Sequence, residues 1–97
     1  MEFGVFYQLP CDDDQTPQQR YADTIAQCQL ADLLGFDNVW LAELHFNSRF
    51  SVMSAPLMVG SAIAAATQRI KIGMAVNLVP LHHPIRLAEE TATLDLL

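Results

Sequence analysis

The sequence predicts an α/β fold in which three parallel strands alternate with three helices. Apolar, β-rich segments at residues 2–7, 38–42 and 70–76 are each followed by a segment with a helical pattern. Strands that alternate with helices over short connections favour a parallel sheet with right-handed crossovers. The 97 residues are 52% hydrophobic, which suits a packed interior.

The first strand and helix contain the clearest start signal. Residues 2–7, E-F-G-V-F-Y, are rich in aromatic and branched side chains, as is typical of a buried strand. After a polar loop we expect Thr16 to be the N-cap, Pro17 the first helical residue, and Gln19 to close a capping box. We expect Gly35 to end this helix. Its apolar positions, expected to form the buried face, are Ile25, Ala26, Leu30, Leu33 and Leu34.

The second strand and helix extend from residue 38 to about residue 67. The strand, N-V-W-L-A at 38–42, is nearly all apolar, as expected of a strand covered on both faces. Polar residues including Glu43 and His45 follow it directly. We expect Ser54 with Pro56 to start the second helix.

The third unit, residues 69–90, contains the first place to look for a ligand. A β-rich run ending at Val76 passes through a polar loop at 77–83 into a helix that opens at Pro84. In barrels built from strand–helix units, chemistry takes place on the loops at the carboxyl ends of the strands. The loop at 77–83 is therefore expected to line a binding site. No glycine-rich phosphate-binding motif follows any strand, which disfavours a nucleotide-binding open sheet.

Charge and composition exclude several classes of partner. The formal net charge is −6 with only five Lys and Arg, so neither nucleic acid nor an anionic membrane surface is an expected partner. Cys11 and Cys28 show no metal-binding spacing, and we expect two free thiols in a reducing cytoplasm. Three parallel strands leave two unpaired edges, so we expect residues 1–97 to be the front portion of a longer protein.

Two motifs resemble the amino-terminal part of the bacterial luciferase-like flavin-dependent monooxygenases. They are G-F-D-N-V-W-L-A-E-L-H-F at 35–46 and I-G-M-A-V-N-L-V-P-L-H-H-P-I-R-L-A-E-E at 72–90, and the resemblance covers essentially all 97 residues. It implies an eight-stranded (β/α)8 TIM-type barrel. Residues 1–97 would supply its first three βα units, as the incomplete amino-terminal part of one barrel domain.

The resemblance also implies which residues form the site. The family usually has E-H-H-F after strand two, whereas this chain has Leu44 in place of the first histidine. The family's non-prolyl cis peptide against the flavin corresponds to the Ala75–Val76 bond. The expected catalytic residues are His45 and His83, the expected cofactor-binding residues are Glu43, Ala75, Val76 and Asn77, and no metal ligand is expected.

His45 and Glu43 each have a simpler structural interpretation. His45 could shuttle a proton or only hold the neighbouring loop through a hydrogen bond. Glu43 is expected to pair with Arg49 or another group at a strand end, because buried carboxylates are normally paired. Of the two adjacent histidines, His83 rather than His82 is expected to face the cavity.

Three functions remain open. The first is a two-component monooxygenase that takes reduced FMN from a partner reductase and uses oxygen on a small organic substrate, with a deazaflavin-dependent hydride-transfer enzyme as a variant. The second is a non-catalytic partner subunit of the same fold, which Leu44 leaves possible. The third is a metal-dependent hydrolase using His45, His82 and His83, disfavoured because no H-x-H motif stands at the end of strand one, where Gln8 follows the strand. The resemblance also implies that the full-length protein is a dimer.

Overall fold

The computed structural model describes all 97 residues and contains the predicted three strands and three α-helices in the predicted order. The strands are β1 (Gly4–Tyr7), β2 (Asn38–Leu41) and β3 (Lys71–Met74), and the helices are α1 (Pro17–Leu34), α2 (Pro56–Ala66) and α3 (Pro84–Asp95). A 3-10 turn (Val79–Leu81), which the sequence did not predict, lies between β3 and α3. The α/β fold class is confirmed.

The three strands form one parallel sheet in the order β1-β2-β3. The first residues of the three strands, Gly4, Asn38 and Lys71, lie side by side, so the strands are aligned along their whole length. The carboxyl ends of all three strands therefore meet at one edge of the sheet. The segments that follow them are brought together there.

One face of the sheet is covered by helices and the other is open. Along β2, Val39 and Leu41 are fully buried, whereas Trp40 between them is 43% exposed. Phe6, which pairs with Trp40 across the sheet, is 56% exposed. Successive side chains of a strand point to opposite faces, so Phe6 and Trp40 share the open face. Within residues 1–97, β2 is thus covered on one face only, contrary to the expectation.

The ends of α1 match the sequence prediction except for the capping box. Thr16 Oγ1 accepts a hydrogen bond from the backbone N–H of Gln19 at 3.1 Å, and Gly35 ends the helix in the left-handed region with φ 86°. The side chain of Gln19 instead donates to Asp23 Oδ1 at 2.6 Å. Asp23 lies one turn further along, where residues four apart are neighbours, so it competes successfully for this amide.

The buried face of α1 matches the predicted one at Ile25, which is half-buried against the core, but differs from it toward the end of the helix. Leu30, Leu33 and Leu34 are exposed by 55%, 82% and 68%. The residues buried instead are Thr24, Cys28, Ala31 and Asp32. These are small or short side chains at helical spacing, and they let the helix lie close to the sheet. The prediction failed because residues 1–97 provide nothing to cover the leucines.

Asp32 joins α1 to the start of β3. Its carboxylate accepts hydrogen bonds from the backbone N–H groups of Gln68, Arg69 and Ile70 at 2.8, 3.2 and 2.9 Å. These bonds, with that from Gln68 the strongest, hold the pKa of Asp32 below its ordinary value. Asp32 itself is buried.

The core lies between the covered face of the sheet and the helices α1 and α2. Its nine buried members are Tyr7, Leu9, Cys28, Ala31, Val39, Leu41, Met53, Ile63 and Ile70. Helix α2 begins at Pro56 as expected, but its N-cap is Ala55 rather than Ser54, and no side chain caps it. Helix α3 packs against α2 and buries none of its own residues. No helix combines the length and the apolar character needed to cross a membrane.

Candidate functional site

The segments that follow β2 and β3 lie side by side at the carboxyl edge of the sheet. Parallel pairing continues past the strands, because Ala42 N–H donates to Tyr7 O at 3.0 Å and Ala75 N–H donates to Leu41 O at 2.7 Å. Glu43 follows Ala42 directly and is buried. The predicted residues Glu43 and Ala75 therefore lie at the same edge.

Glu43 is the centre of a carboxylate–histidine cluster formed by Glu43, His45 and His82. Glu43 Oε1 lies 2.8 Å from Nε2 of His45 and 3.1 Å from Nε2 of His82. Glu43 Oε2 accepts from the backbone N–H of Leu78 at 2.7 Å and lies 3.2 Å from the same His82 nitrogen. The Glu43 side chain is fully buried, while the imidazoles are 23% and 27% exposed. Of the two expected kinds of partner, Arg49 binds Asp13 instead, at 3.0 Å, whereas the pairing with other groups near the strand ends is confirmed by His45 and His82.

The hydrogen bonds in the cluster keep Glu43 ionised. Burial by itself would raise the pKa of Glu43, but the bonds from His45, the Leu78 amide and His82 together hold that pKa below its ordinary value. An ionised carboxylate has no hydrogen to donate, so each imidazole must bear its hydrogen on Nε2. In the neutral ring the other nitrogen, Nδ1, then holds a free lone pair. The cluster can therefore accept a proton at His45 Nδ1.

The two adjacent histidines take opposite positions. His82 belongs to the cluster, whereas His83 is the exposed N-cap of α3 and makes no side-chain capping bond. This is the reverse of the expected arrangement. The 3-10 turn at Val79–Leu81 directs the extended residue His82 back toward Glu43, and successive extended residues point to opposite sides. A catalytic role for His83 stays a prediction.

His82 was missed as a partner of Glu43. The available signal was positional: Glu43 follows β2, His82 follows β3, and parallel strands end at one edge. The turn that selects one histidine of the pair left no recognisable pattern in the sequence.

The segment after β3 supplies the expected cofactor-binding residues. The Ala75–Val76 peptide bond is cis, as the resemblance implied. The Val76 side chain is 54% exposed, and Oδ1 of Asn77 is buried without a hydrogen-bond partner. A buried unpaired acceptor calls for a donor from elsewhere. A small apolar surface beside such an acceptor fits a flavin, whose ring has flat faces and an N–H at its edge.

Two concavities adjoin the cluster. A cavity of about 420 Å³ is lined by Leu44, His45 and Phe46 with residues of the following loop. A larger groove of about 820 Å³ between α2 and α3 is lined by Asn77 and His82, among others. His45 and His82 thus face different spaces and share one carboxylate. No group of three or more His, Cys, Asp or Glu side chains is arranged to hold a metal ion.

Known proteins match the chain over its length. The family model for luciferase-like monooxygenases matches residues 1–97. The alkanal monooxygenase beta chain of Photorhabdus luminescens is 33% identical over 95 residues, which are 98% of this chain and 29% of that protein. The oxygenase component of the flavin-dependent trigonelline monooxygenase of Acinetobacter baylyi is 32% identical over 98 residues, covering 100% of this chain and 27% of that protein. The chain thus spans less than a third of these relatives.

Solved structures share the fold. Monooxygenase RslO1 from Streptomyces bottropensis superposes with a TM-score of 0.92 at 28% identity, over 98% of this chain and 29% of that one. The oxygenating constituent of 3,6-diketocamphane monooxygenase from Pseudomonas putida, solved with FMN, gives 0.84 at 26% identity over 93% and 24%. The structural neighbours are TIM-barrel proteins, so the three βα units correspond to part of such a barrel. Because the family model covers every residue of the chain, the protein belongs to the luciferase-like monooxygenase family.

Proposed function

We propose that the chain is part of the oxygenase component of a two-component monooxygenase that uses reduced FMN and oxygen on a small organic substrate. One observation carries this proposal: a buried, ionised Glu43 orients His45 at the strand ends, beside the segment with the unpaired Asn77 oxygen. Support comes from a relative named as an oxygenase component and from a similar structure solved with FMN.

The proposal extends to domain and partners. Residues 1–97 form the amino-terminal part of one luciferase-like barrel domain, and the complete protein is a dimer. A separate reductase supplies the reduced flavin. These statements rest on family membership and on the share of the relatives that the chain covers.

The residues of the chain have separate tasks in the proposed reaction. Bound reduced flavin supplies the electrons that activate oxygen. Ala75, Val76 and Asn77 would hold the flavin, and the unpaired Asn77 Oδ1 would accept a hydrogen bond from it. His45 accepts a proton at Nδ1 and returns it, while Glu43 holds the imidazole in the required orientation. Because Phe46 is fully exposed beside His45, it can cover the substrate and exclude water.

Anaerobic titration of the product of the complete reading frame with reduced FMN tests this function. We expect saturable binding, followed by oxygen incorporation into an organic probe such as an aliphatic aldehyde or a bicyclic ketone when air is admitted. Binding of reduced deazaflavin in place of reduced FMN would support the hydride-transfer variant. If the protein binds neither reduced FMN nor reduced deazaflavin, the proposed function is wrong.

A partner subunit of a two-chain enzyme is the second candidate. Leu44 stands where the family has a histidine, and one matched relative is the beta chain of alkanal monooxygenase. A protein of this kind would bind no flavin alone but would co-purify with a catalytic chain of the same fold. Flavin binding with oxygenation by this protein alone would exclude it.

A further inference from the structure

His82 is the member of the carboxylate–histidine cluster that has no assigned role. Its Nε2 lies 3.1 Å from Oε1 and 3.2 Å from Oε2 of Glu43, so it bridges both oxygens. His45 reaches only Oε1, and the Leu78 amide reaches only Oε2. His82 is therefore the one donor that contacts the whole carboxylate.

Glu43 depends on these donors because its side chain is fully buried. A buried carboxylate stays ionised only where its lone pairs are satisfied. Other cations on the surrounding elements do not help, since Arg49 binds Asp13 and Arg86 binds Glu90. Removing His82 would leave Oε1 to His45 and Oε2 to a single amide.

The protonation of Glu43 determines which nitrogen of His45 is free. The ionised carboxylate requires a hydrogen on Nε2 of His45 and leaves Nδ1 open. A protonated carboxyl could donate its own hydrogen to Nε2, and the ring hydrogen would then lie on Nδ1. The proton acceptor at His45 would be lost without any change in His45 itself.

We propose that His82 is a positioning residue that acts through Glu43: by bridging both carboxylate oxygens it keeps Glu43 ionised, and so keeps Nδ1 of His45 free. The effect on turnover rests on the proposed monooxygenase function. The effect on the His45 tautomer does not, because it belongs to the flavin-free protein.

Three variants of the complete reading-frame product separate positioning from general stability. His82→Gln retains an N–H donor near the position of Nε2, whereas His82→Leu removes the donor at similar size. Arg86→Gln is the matched control, because it breaks an exposed ion pair that begins in the first turn of α3. Histidine ¹⁵N NMR of the flavin-free protein reports which ring nitrogen bears the hydrogen, and steady-state kinetics with reduced FMN reports turnover.

We expect His45 to bear its hydrogen on Nε2 in the unmodified protein, in His82→Gln and in Arg86→Gln. In His82→Leu we expect a mixture of His45 tautomers and a kcat about tenfold lower. The loss is smaller than the roughly 10²–10⁴-fold rate enhancement that general acid–base catalysis contributes, because part of the His45 population retains the required tautomer. An unchanged His45 tautomer in His82→Leu would overturn the proposal, as would an equal loss in His82→Gln. If His82→Leu does not fold, the unmodified protein still provides a test. The proposal would be overturned if NMR showed that Nε2 of His82 bears no hydrogen, because His82 could then not donate to Glu43. Failure to bind flavin with the tautomer pattern intact would instead count against the proposed function.

Discussion

The chain contains two buried carboxylates whose partners give them different roles. Asp32 accepts from three consecutive backbone amides, which cannot change their protonation, and it fixes α1 to β3. Glu43 accepts from one amide and two imidazoles. Because imidazoles exchange protons near neutral pH, only the second arrangement suits proton transfer. The nature of the donors therefore separates a structural carboxylate from a candidate site residue.

Replacing Glu43 by Gln tests the chemical role. The amide is uncharged and can place an NH₂ group against His45, so His45 is no longer held with its hydrogen on Nε2. We expect kcat to fall about 10²-fold, at the low end of what a general base contributes, with little change in reduced-FMN affinity. Stopped-flow binding and steady-state turnover measure the two quantities. Asp13→Asn, which breaks the exposed pair with Arg49, is the control and should leave both unchanged.

Replacing Asp32 by Asn tests the structural role through pH. The pKa of Asp32 is lowered in the folded state, so its contribution to stability is fully present above its unfolded value of about 3.8. That contribution is lost as the pH falls through the lower folded value. We therefore expect Asp32→Asn to be less stable at neutral pH and to lose less stability on acidification than the unmodified protein.

Urea unfolding of the complete reading-frame product between pH 7 and pH 3 measures this difference. Asp95→Asn is the control, since Asp95 is an exposed residue at the end of α3. Parallel stability–pH curves for Asp32→Asn and the unmodified protein would contradict the assignment. Part of the dependence should remain, because the pKa of Glu43 is also lowered.

At the scale of elements, local signals in the sequence predicted what local interactions decide. Thr16 and Gly35 bound α1 as expected, because capping depends on residues within one turn. The buried face of α1 and the position of His82 depend on tertiary contacts with other segments. The local sequence pattern does not indicate these contacts. Leu33, apolar at helical spacing yet 82% exposed, shows the limit. The site residues after β2 and β3 came mainly from the family resemblance, whereas their shared edge followed from the parallel topology.

Gly73 and Trp40 provide a test of how closely β2 and β3 pack. A Cβ at position 73 would overlap two ring carbons of Trp40. We expect Gly73→Ala to lower the free energy of unfolding by about 1–3 kcal/mol, as is usual for overpacking. Urea unfolding of the complete reading-frame product measures the loss.

A double variant identifies the cause of that loss. In Gly73→Ala with Trp40→Leu the indole is absent, so the added methyl group has room and the two effects should not be additive. If the losses simply add, the contact between position 73 and the indole is not responsible.

At the scale of the whole molecule, much apolar surface is left uncovered. Only 17 of the 97 residues are buried, and α3 contributes none of them. Phe6 and Trp40 lie on the open face of the sheet, and the leucines near the end of α1 lie on the outside. Hydrophobic burial is the main favourable term in folding, so a sheet covered on one face obtains only part of it. In the TIM-barrel neighbours, the region that matches residues 1–97 makes up about 29% of the neighbour's own chain.

We therefore expect residues 1–97, expressed alone, to self-associate or to remain partly unfolded. The open face of the sheet and the exposed side of α1 would contact other copies, because large exposed apolar patches associate in water. Light scattering after size exclusion should give a mass above 10.8 kDa, and heating should give a broad transition. Charged substitutions at Leu30 and Leu33 should reduce association without sharpening the transition, since they add no buried surface. A monomer with a sharp, cooperative melt would show instead that the three βα units are stable by themselves. In that case, covering the open face of the sheet would not be needed for stability, contrary to this prediction.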